Sequence, residues 1–152
     1  MSPVMSPDHA NAAVAGLVVV MVVVGIILSL AITIFFILTL QKALNRCSPE
    51  NRAMQPGMTW LLLIPLFNIV WIFFVVINMA KSLGAEFQKR GIAAEPEPGK
   101  TLGLAYAILA ICSAIPFVGF LAGIGCVVCF IMYWVKINGY ANQLAAPAPA
   151  AA

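Results

Sequence analysis

The sequence predicts an all-α integral membrane protein, a small helical bundle with three full spans plus a proline-tipped re-entrant hairpin. Three observations predict this fold class. Of the 152 residues, 63% are apolar, only 9% are charged, and the apolar residues are gathered into four long segments. A soluble domain has roughly a quarter of its residues charged, and a disordered chain has much less apolar surface. The composition therefore excludes both classes.

The four apolar segments follow one another along the chain as residues 12–40, 59–80, 101–115 and 117–135. As a helix, the first would measure roughly 43 Å, against a hydrocarbon core of about 30 Å. It is too long for the apolar core of a signal peptide, and no Lys or Arg precedes it, so we interpret it as a permanent membrane anchor.

The four segments indicate a single membrane domain over residues 12–140. Residues 1–11 are polar, and we expect them to be a mobile N-terminus. Residues 141–152 are rich in Ala and Pro and are interpreted as a low-complexity tail.

Two prolines lie inside apolar sequence in similar settings. Pro65 and Pro116 each follow an isoleucine, and three positions later come Asn68 and Gly119. Proline ends or kinks the helix before it, and Asn and Gly readily enter the left-handed backbone that reverses a chain. We therefore predict hairpin tips at Pro65 with Asn68 and at Pro116 with Gly119. A kink in a continuous helix is the alternative at each.

The basic residues help to decide whether the second apolar segment crosses the membrane. If it crosses, five basic residues lie on one face and three on the other; if it turns back at Pro65, all eight share one face. Cytoplasmic loops carry an excess of Lys and Arg, and limbs of about eight and about twelve residues suit a re-entrant loop. The sequence favours re-entry with cytoplasmic basic loops. Four ordinary transmembrane helices are the alternative.

Small residues indicate how the helices pack. Lipid gives no hydrophobic drive between helices, so close approach at small residues holds a membrane bundle together. Gly25, Ser29 and Thr33 recur at every fourth position of the first segment, and Gly119 and Gly123 form a GxxxG motif. We interpret both sets as helix-packing positions. The Gly25, Ser29 and Thr33 stripe would also suit the lining of a pore built from several copies.

The sequence offers no residues for catalysis. None of the four apolar segments contains Asp, Glu, Lys, Arg or His, which argues against a proton relay, a voltage sensor or a membrane hydrolase. Cys126 and Cys129 have the CxxC spacing but lie in the middle of an apolar segment without an electropositive neighbour, so we interpret them as buried apolar side chains. The only histidine, His9, lies in the N-terminus. We expect no catalytic residue, no metal site and no cofactor.

A group of motifs in the chain resembles small bacterial multi-pass membrane proteins of unknown function. The resemblance covers roughly residues 40 to 144 and is carried by a basic loop after the first helix and then by Pro56-Gly57, Trp60, Ile64-Pro65-Leu66-Phe67-Asn68 and Lys81-Ser82-Leu83. The stretch from Tyr133 to Tyr140 is similar to the C-terminal half of those proteins. The resemblance implies a bacterial cytoplasmic membrane and no known activity, and it assigns no role to any residue.

Together these features predict a non-enzymatic accessory, scaffold or assembly subunit of the membrane that acts through helix packing. We expect membrane lipids as partners, together with further copies of the chain or a larger membrane protein complex. The basic residues lie in short loops between apolar segments, where they orient a membrane protein, so no nucleic-acid partner is expected. A small oligomeric channel or passive transporter is the alternative function.

Overall fold

The computed structural model describes residues 7–145, and in this part of the chain it is all-helical, without a β-strand. Four α-helices follow one another: α1 (Pro7–Arg46), α2 (Pro65–Lys89), α3 (Lys100–Cys112) and α4 (Gly119–Gln143). Two 3₁₀ helices, Pro49–Asn51 and Pro56–Leu63, lie between α1 and α2. The predicted all-α class is confirmed.

Three helices, α1, α2 and α4, are long and apolar enough to cross a membrane. The number of helices of spanning length thus equals the number of full spans predicted, but one of the three differs from the prediction. The segment 101–115, predicted to cross, corresponds to α3 of 13 residues, which measures about 20 Å and is shorter than a hydrocarbon core. The second segment, predicted to turn back with short limbs, contains the first 16 residues of α2, which is 25 residues long in all.

The chain divides into two compact units, unit 1 up to Ile34 and unit 2 from Phe35 onward. The boundary falls inside α1, so each unit is described by itself. The described part of unit 1 is a single uncharged helical stretch after Asp8, and every side chain from Asn11 to Leu30 is exposed. The single membrane domain predicted over residues 12–140 stays a prediction, because contacts within the chain do not test which residues lie in a membrane.

Unit 2 contains two hairpins, and the first reverses at Pro65. The 3₁₀ helix Pro56–Leu63 packs against α2, and the indole N–H of Trp71 donates to the carbonyl oxygen of Met58 at 3.0 Å. Pro65 occupies the first position of α2, where its missing N–H costs no hydrogen bond. The predicted reversal at Pro65 is present. One limb is a 3₁₀ helix, and the other is longer than the dozen residues predicted.

The second hairpin joins α3 to α4 around Pro116. Phe117, not the predicted Gly119, adopts the left-handed backbone, with φ of 73°. Gly119 begins α4, and a Cβ there would lie 2.4 Å from the carbonyl oxygen of Ser113. Asn68 likewise has no positive φ, because it lies inside the first turn of α2. Neither Asn68 nor Gly119 therefore has the left-handed backbone predicted for the tips, and Gly119 is needed instead for a close approach of the backbone.

The core of unit 2 lies between the last turns of α1 and the buried faces of the other helices. Its fully buried side chains recur every three or four residues along α2, as expected for one face of a helix. They include Ile37, Leu40 and Leu44 of α1, Val76, Met79, Leu83 and Phe87 of α2, Ala107 of α3, and Tyr133, Ile137 and Ala141 of α4.

The C-terminal end of α2 is more buried than its charged sequence suggests. Leu83 and Phe87 lie among Lys and Glu residues, a pattern typical of a helix end at the membrane surface. Both side chains are nevertheless fully buried. The helix ends at Gly91, with φ of 64°, and the N–H of Ile92 donates to the carbonyl oxygen of Phe87 at 3.0 Å. This is a Schellman ending, so the chain leaves α2 in a defined direction.

The ends of the described chain also modify the predicted boundaries. Helix α1 already begins at Pro7, within the stretch expected to be a mobile N-terminus. Helix α4 continues to Gln143, and Leu144 is buried, so the bundle extends past residue 140. The remainder of the predicted Ala/Pro-rich tail, residues 146–152, lies outside the described residues, as do residues 1–6.

Candidate functional site

The C-terminal ends of α1, α2 and α4 meet at one end of unit 2. The guanidinium of Arg90 donates to the carbonyl oxygens of Leu144, at 2.9 Å, and Arg46, at 3.1 Å. The guanidinium of Arg46 in turn donates to the carbonyl oxygen of Ala141. Because these carbonyls end α1 and α4 and Arg90 ends α2, the three helices run in the same direction toward this end.

The convergence has an electrostatic consequence. The last four carbonyl groups of a helix have no partner within it, and each helix dipole places partial negative charge at its C-terminus. Three such ends side by side would repel one another without cations between them. Arg46 and Arg90 supply that charge, and Lys42 adds a hydrogen bond of 3.1 Å to the side chain of Asn142.

Glu86 is the buried acid of this end, with 1% of its surface exposed. Its carboxylate accepts hydrogen bonds from the backbone N–H of Ser48, from Asn51 Nδ2 and from Arg90 Nε, each at 2.8 Å. Ser48 Oγ lies at 3.3 Å as a further donor. The carboxylate is therefore fully partnered, and it ties the loop after α1 to the last turn of α2.

The sequence by itself assigned no role to Glu86. The available signal was the spacing of Glu86 and Arg90, since an acid four residues before an arginine forms a pair on a helix. What the spacing leaves open is burial, which depends on the chain from Ser48 to Asn51 covering the carboxylate.

We call the part of unit 2 that holds its basic residues the cationic end. Three further ion pairs lie there: Lys89 with Glu50, Lys100 Nζ with Glu97 at 2.7 Å, and Lys136 Nζ with Glu95 at 3.0 Å. The described residues give no acidic partner to the remaining cations, which are Lys42, Arg46, Arg52 and Lys81. The cationic end therefore carries a net positive charge.

Lys136 holds the pKa of the exposed Glu95 carboxyl below its usual range, first through their hydrogen bond and then through its charge. A lowered pKa favours the folded state above the ordinary carboxyl pKa, and this contribution is lost as the pH falls through the lowered value. We expect Lys136→Gln to raise the pKa of Glu95 toward its usual range. An NMR pH titration of the Glu95 carboxyl measures this, with Lys100→Gln as the control. An unchanged Glu95 titration in Lys136→Gln would contradict the pairing.

An open groove of about 880 Å³ begins at the Lys136 and Glu95 pair. Its mouth is formed by that pair with Gly99 and Thr101. Its apolar walls come from α3 and α4 and are formed by Leu102, Ala105, Ile131, Met132 and Val135. The groove therefore joins one charged pair to an apolar surface.

A smaller cavity of about 170 Å³ lies between the start of α2 and the end of α3. Asn68 and Tyr106 are its polar lining residues, and Ile72, Ala107 and Ala110 are among the apolar ones. The side-chain oxygen of Asn68 is buried without a hydrogen-bond partner, and no side chain caps α2. Asn68 therefore does not serve the free backbone groups at the tip, as its position had suggested.

The predicted packing residues fall into two classes. Gly119 lies against the Ser113 backbone, whereas a Cβ at Gly25 or Gly123 would have no atom of the described chain within 4 Å. In unit 1 the hydroxyl of Thr33 donates to the carbonyl oxygen of Ser29 at 2.9 Å. Packing at Gly25, Ser29, Thr33 and Gly123 therefore stays a prediction about contacts with other molecules.

Close packing inside unit 2 centres on Gly103, which the sequence marked only weakly. A Cβ there would lie 2.6 Å from Val76 Cγ1 and 2.8 Å from Tyr133 Cε2. Gly103 thus lies where α2, α3 and α4 come closest together. A Cβ at Gly125 would lie 3.3 Å from Leu109 Cδ1, so Gly125 also contributes to the contact between α3 and α4.

The cysteines lie in two settings. Cys47 is buried at the cationic end, and burial raises the pKa of its thiol to about 11. Cys112, Cys126 and Cys129 are partly buried and free. Among the described residues, no three His, Cys, Asp or Glu side chains lie close enough to hold one metal ion.

Compared with family models, curated proteins and solved structures, the chain matches none of them. The resemblance carried by its Pro-Gly and Ile-Pro-x-x-Asn motifs therefore stays a prediction.

Proposed function

We propose that the protein is a non-enzymatic membrane subunit that assembles through unit 1, either with further copies of itself or with a larger membrane complex. The proposal rests on the exposure of unit 1. In its most apolar stretch of 18 residues, no residue is buried by other parts of the chain. An apolar helix of this kind is covered by lipid or by other helices. Its small-residue stripe favours other helices, because Gly and Ser allow backbones to approach closely.

The construction of unit 2 supports the same function. Most of its charged groups are paired with one another or with helix ends, which suits a rigid membrane anchor and leaves few polar groups for chemistry. The Thr33 hydroxyl is bonded within its own helix, which gives no support to the alternative of a pore lined by the stripe.

Assembly through unit 1 is tested by adding bulk to the stripe. We expect Gly25→Leu to convert the purified assembly to smaller species, because leucine prevents close helix approach. Native mass spectrometry of protein extracted in a mild detergent measures the change. Gly16→Leu is the matched control: residue 16 lies nine positions earlier, on the opposite helix face, and a Cβ there also meets nothing within 4 Å.

Three outcomes would contradict this assembly. The first is a monomeric wild-type protein without co-purifying partners. The second is an equal effect of Gly25→Leu and Gly16→Leu. The third is ion flux through liposomes that exceeds that of empty liposomes and is changed by Thr33→Val, a result that would favour the channel.

We further propose that the chain lies in a bacterial cytoplasmic membrane with the cationic end at the cytoplasmic face. The excess of Lys and Arg supports this orientation. Between the charged end and the tips, the apolar parts of α2 and α4 measure about 24 and 25 Å, less than the roughly 30 Å of a hydrocarbon core. Both hairpins are then re-entrant, and α1 alone crosses fully.

The two hairpin tips also have the exposed apolar surface that a position inside the membrane requires. Leu66, Phe117 and Phe120 are large apolar side chains exposed by 85%, 102% and 79%. The turn after α3 satisfies part of its own backbone, with the N–H groups of Ile115 and Gly119 donating at 3.1 and 2.8 Å. This reduces the number of backbone groups that lipid, which cannot satisfy them itself, would leave without a partner.

Cysteine accessibility tests the topology in a background without the native cysteines. We expect cysteines at Asn45, Ala93 and Asn138 to react with a membrane-impermeant thiol reagent from the same side. A cysteine at His9 should react from the other side. A cysteine at Phe117 should react from neither, because its tip lies in lipid. Reaction of the Asn45 and Ala93 positions from opposite sides would establish an ordinary crossing by α2.

A further inference from the structure

The groove that begins at Lys136 and Glu95 is unusual in combining two opposite charges with an apolar channel. Lys136 Nζ lies 3.0 and 3.2 Å from the two carboxylate oxygens of Glu95, and the two side chains keep 34% and 61% of their surface exposed. Both charges are thus accessible to a ligand without unfolding any part of unit 2.

The start of α3 lies at the same mouth. Gly99, with φ of 77°, precedes the helix, and no side chain caps it. In the first turn, Lys100 and Gly103 donate to the carbonyl oxygens of Glu97 and Gly99, which leaves the backbone N–H groups of Thr101 and Leu102 free in the groove that Lys136 also lines. An anion at the mouth would meet a lysine and free N–H groups, while a cation would meet Glu95.

The walls beyond the mouth are apolar and face outward. Val135 and Met132 of α4 are exposed by 66% and 54%, although α4 is one of the helices long and apolar enough to cross a membrane. In a bilayer this surface is covered by acyl chains. The groove thus places a zwitterionic mouth at the level of the headgroups, directly above a channel for one chain.

We propose that this groove binds a glycerophospholipid with a phosphoethanolamine headgroup. Its phosphate accepts hydrogen bonds from Lys136 Nζ and from the first turn of α3. Its ammonium group donates to Glu95, and an acyl chain lies between α3 and α4 along Leu102 and Met132. The inference rests on the membrane location of unit 2 and is independent of the partner that unit 1 binds.

The charge pattern distinguishes this occupant from others. A phosphocholine headgroup has the same charges but no N–H donor for Glu95. A phosphoglycerol headgroup is a net anion and places no cation beside Glu95. A helix from a second copy fills the apolar walls but leaves both charges at the mouth without a new partner.

Two other cavities of the described chain lack this combination. The cavity between the two tips, lined by Asn68 and Tyr106, contains no charged residue. The depression beside Arg52 is formed by the loop from Pro49 to Met58 and has no acidic group. Neither can pair with a phosphate and an ammonium group together.

Native mass spectrometry of the full chain, titrated with three lipids of identical acyl chains, tests the proposal. We expect the phosphoethanolamine lipid to bind about tenfold more tightly than the phosphocholine lipid, the size of effect expected for one charge-assisted hydrogen bond. Glu95→Gln should remove most of this preference, and Lys136→Gln should weaken binding of all three lipids.

The pair formed by Glu97 and Lys100 supplies the matched control. It lies in the same region but does not line the groove, so Glu97→Gln should leave the preference unchanged. Ala105→Phe, which fills the wall, should abolish binding while the circular dichroism melting curve remains that of the wild type.

Four results would overturn the proposal. These are equal affinity for the three lipids, preference for phosphoglycerol, an unchanged preference in Glu95→Gln, and a dimer that Ala105→Phe dissociates. If Ala105→Phe alters the melting curve, Val135→Trp replaces it as the blocking variant, and continued lipid binding by that variant would also overturn the proposal. A failure of assembly through Gly25 affects none of these measurements.

Discussion

Arg90→Leu is expected to lower the free energy of unfolding by about 3 kcal/mol, the lower end of the range for breaking a buried ion pair. The variant leaves the buried carboxylate of Glu86 without its cation, and it removes the donor to the carbonyl oxygens of Leu144 and Arg46. Thermal unfolding in detergent, followed by circular dichroism, measures the loss.

Two further variants test whether the loss of stability comes from the pair formed by Glu86 and Arg90. Lys81→Leu removes an exposed cation without an acidic partner in the described chain, and we expect it to unfold near the wild-type temperature. The double variant Glu86→Leu with Arg90→Leu should recover part of the loss, because replacing both members of a buried pair by apolar groups is often nearly neutral. Equal melting temperatures for Arg90→Leu and Lys81→Leu would show that Arg90 does not join the three helix ends.

Gly103→Val is the second variant with a large expected effect. Overfilling a packed core costs about 1 to 3 kcal/mol, and here even the first added carbon would lie within 3.0 Å of Val76 and of Tyr133. Neither neighbour has room to move, because both are buried. We therefore expect a lower melting temperature and weaker protection of the α3 amides in hydrogen exchange.

Gly123→Val is the matched control for Gly103→Val. It adds the same side chain to the GxxxG motif, where a Cβ meets nothing within 4 Å, so the melting temperature of the isolated chain should not change. Equal destabilisation by the two variants would contradict the close contact at Gly103. A smaller assembly in Gly123→Val, with an unchanged melting temperature, would place Gly123 in a contact between molecules.

The groove at Lys136 and Glu95 and the hydrogen bonds around Glu86 could not be predicted from local sequence. Glu95 and Lys136 are separated by 41 positions, and neither stands out in its own segment. Ser48, in a loop after α1, contributes two donors to Glu86, although the two residues are separated by 38 positions. Such pairings arise only when the ends of separate helices meet.

The two proline motifs, in contrast, were visible in the sequence, although the backbone conformation at the second one was not. Proline cannot continue a helix, so Pro65 and Pro116 mark the chain reversals from the sequence alone. The residue that takes up the strain at the second tip is Phe117 and not Gly119. The glycine is required instead by a backbone contact with Ser113, and a contact of this kind cannot be seen in local sequence.

The sequence by itself determined that this chain is helical and belongs in a membrane, because a long uncharged apolar segment can satisfy its backbone in lipid only as a helix. It also marked the two prolines at which the chain either turns or kinks. The tertiary structure decided the length of α3, the burial of Glu86 and the joining of Lys136 to Glu95. These features depend on which helix surfaces pack against each other. The hydropathy of a segment shows how apolar it is but does not show which other segment it contacts.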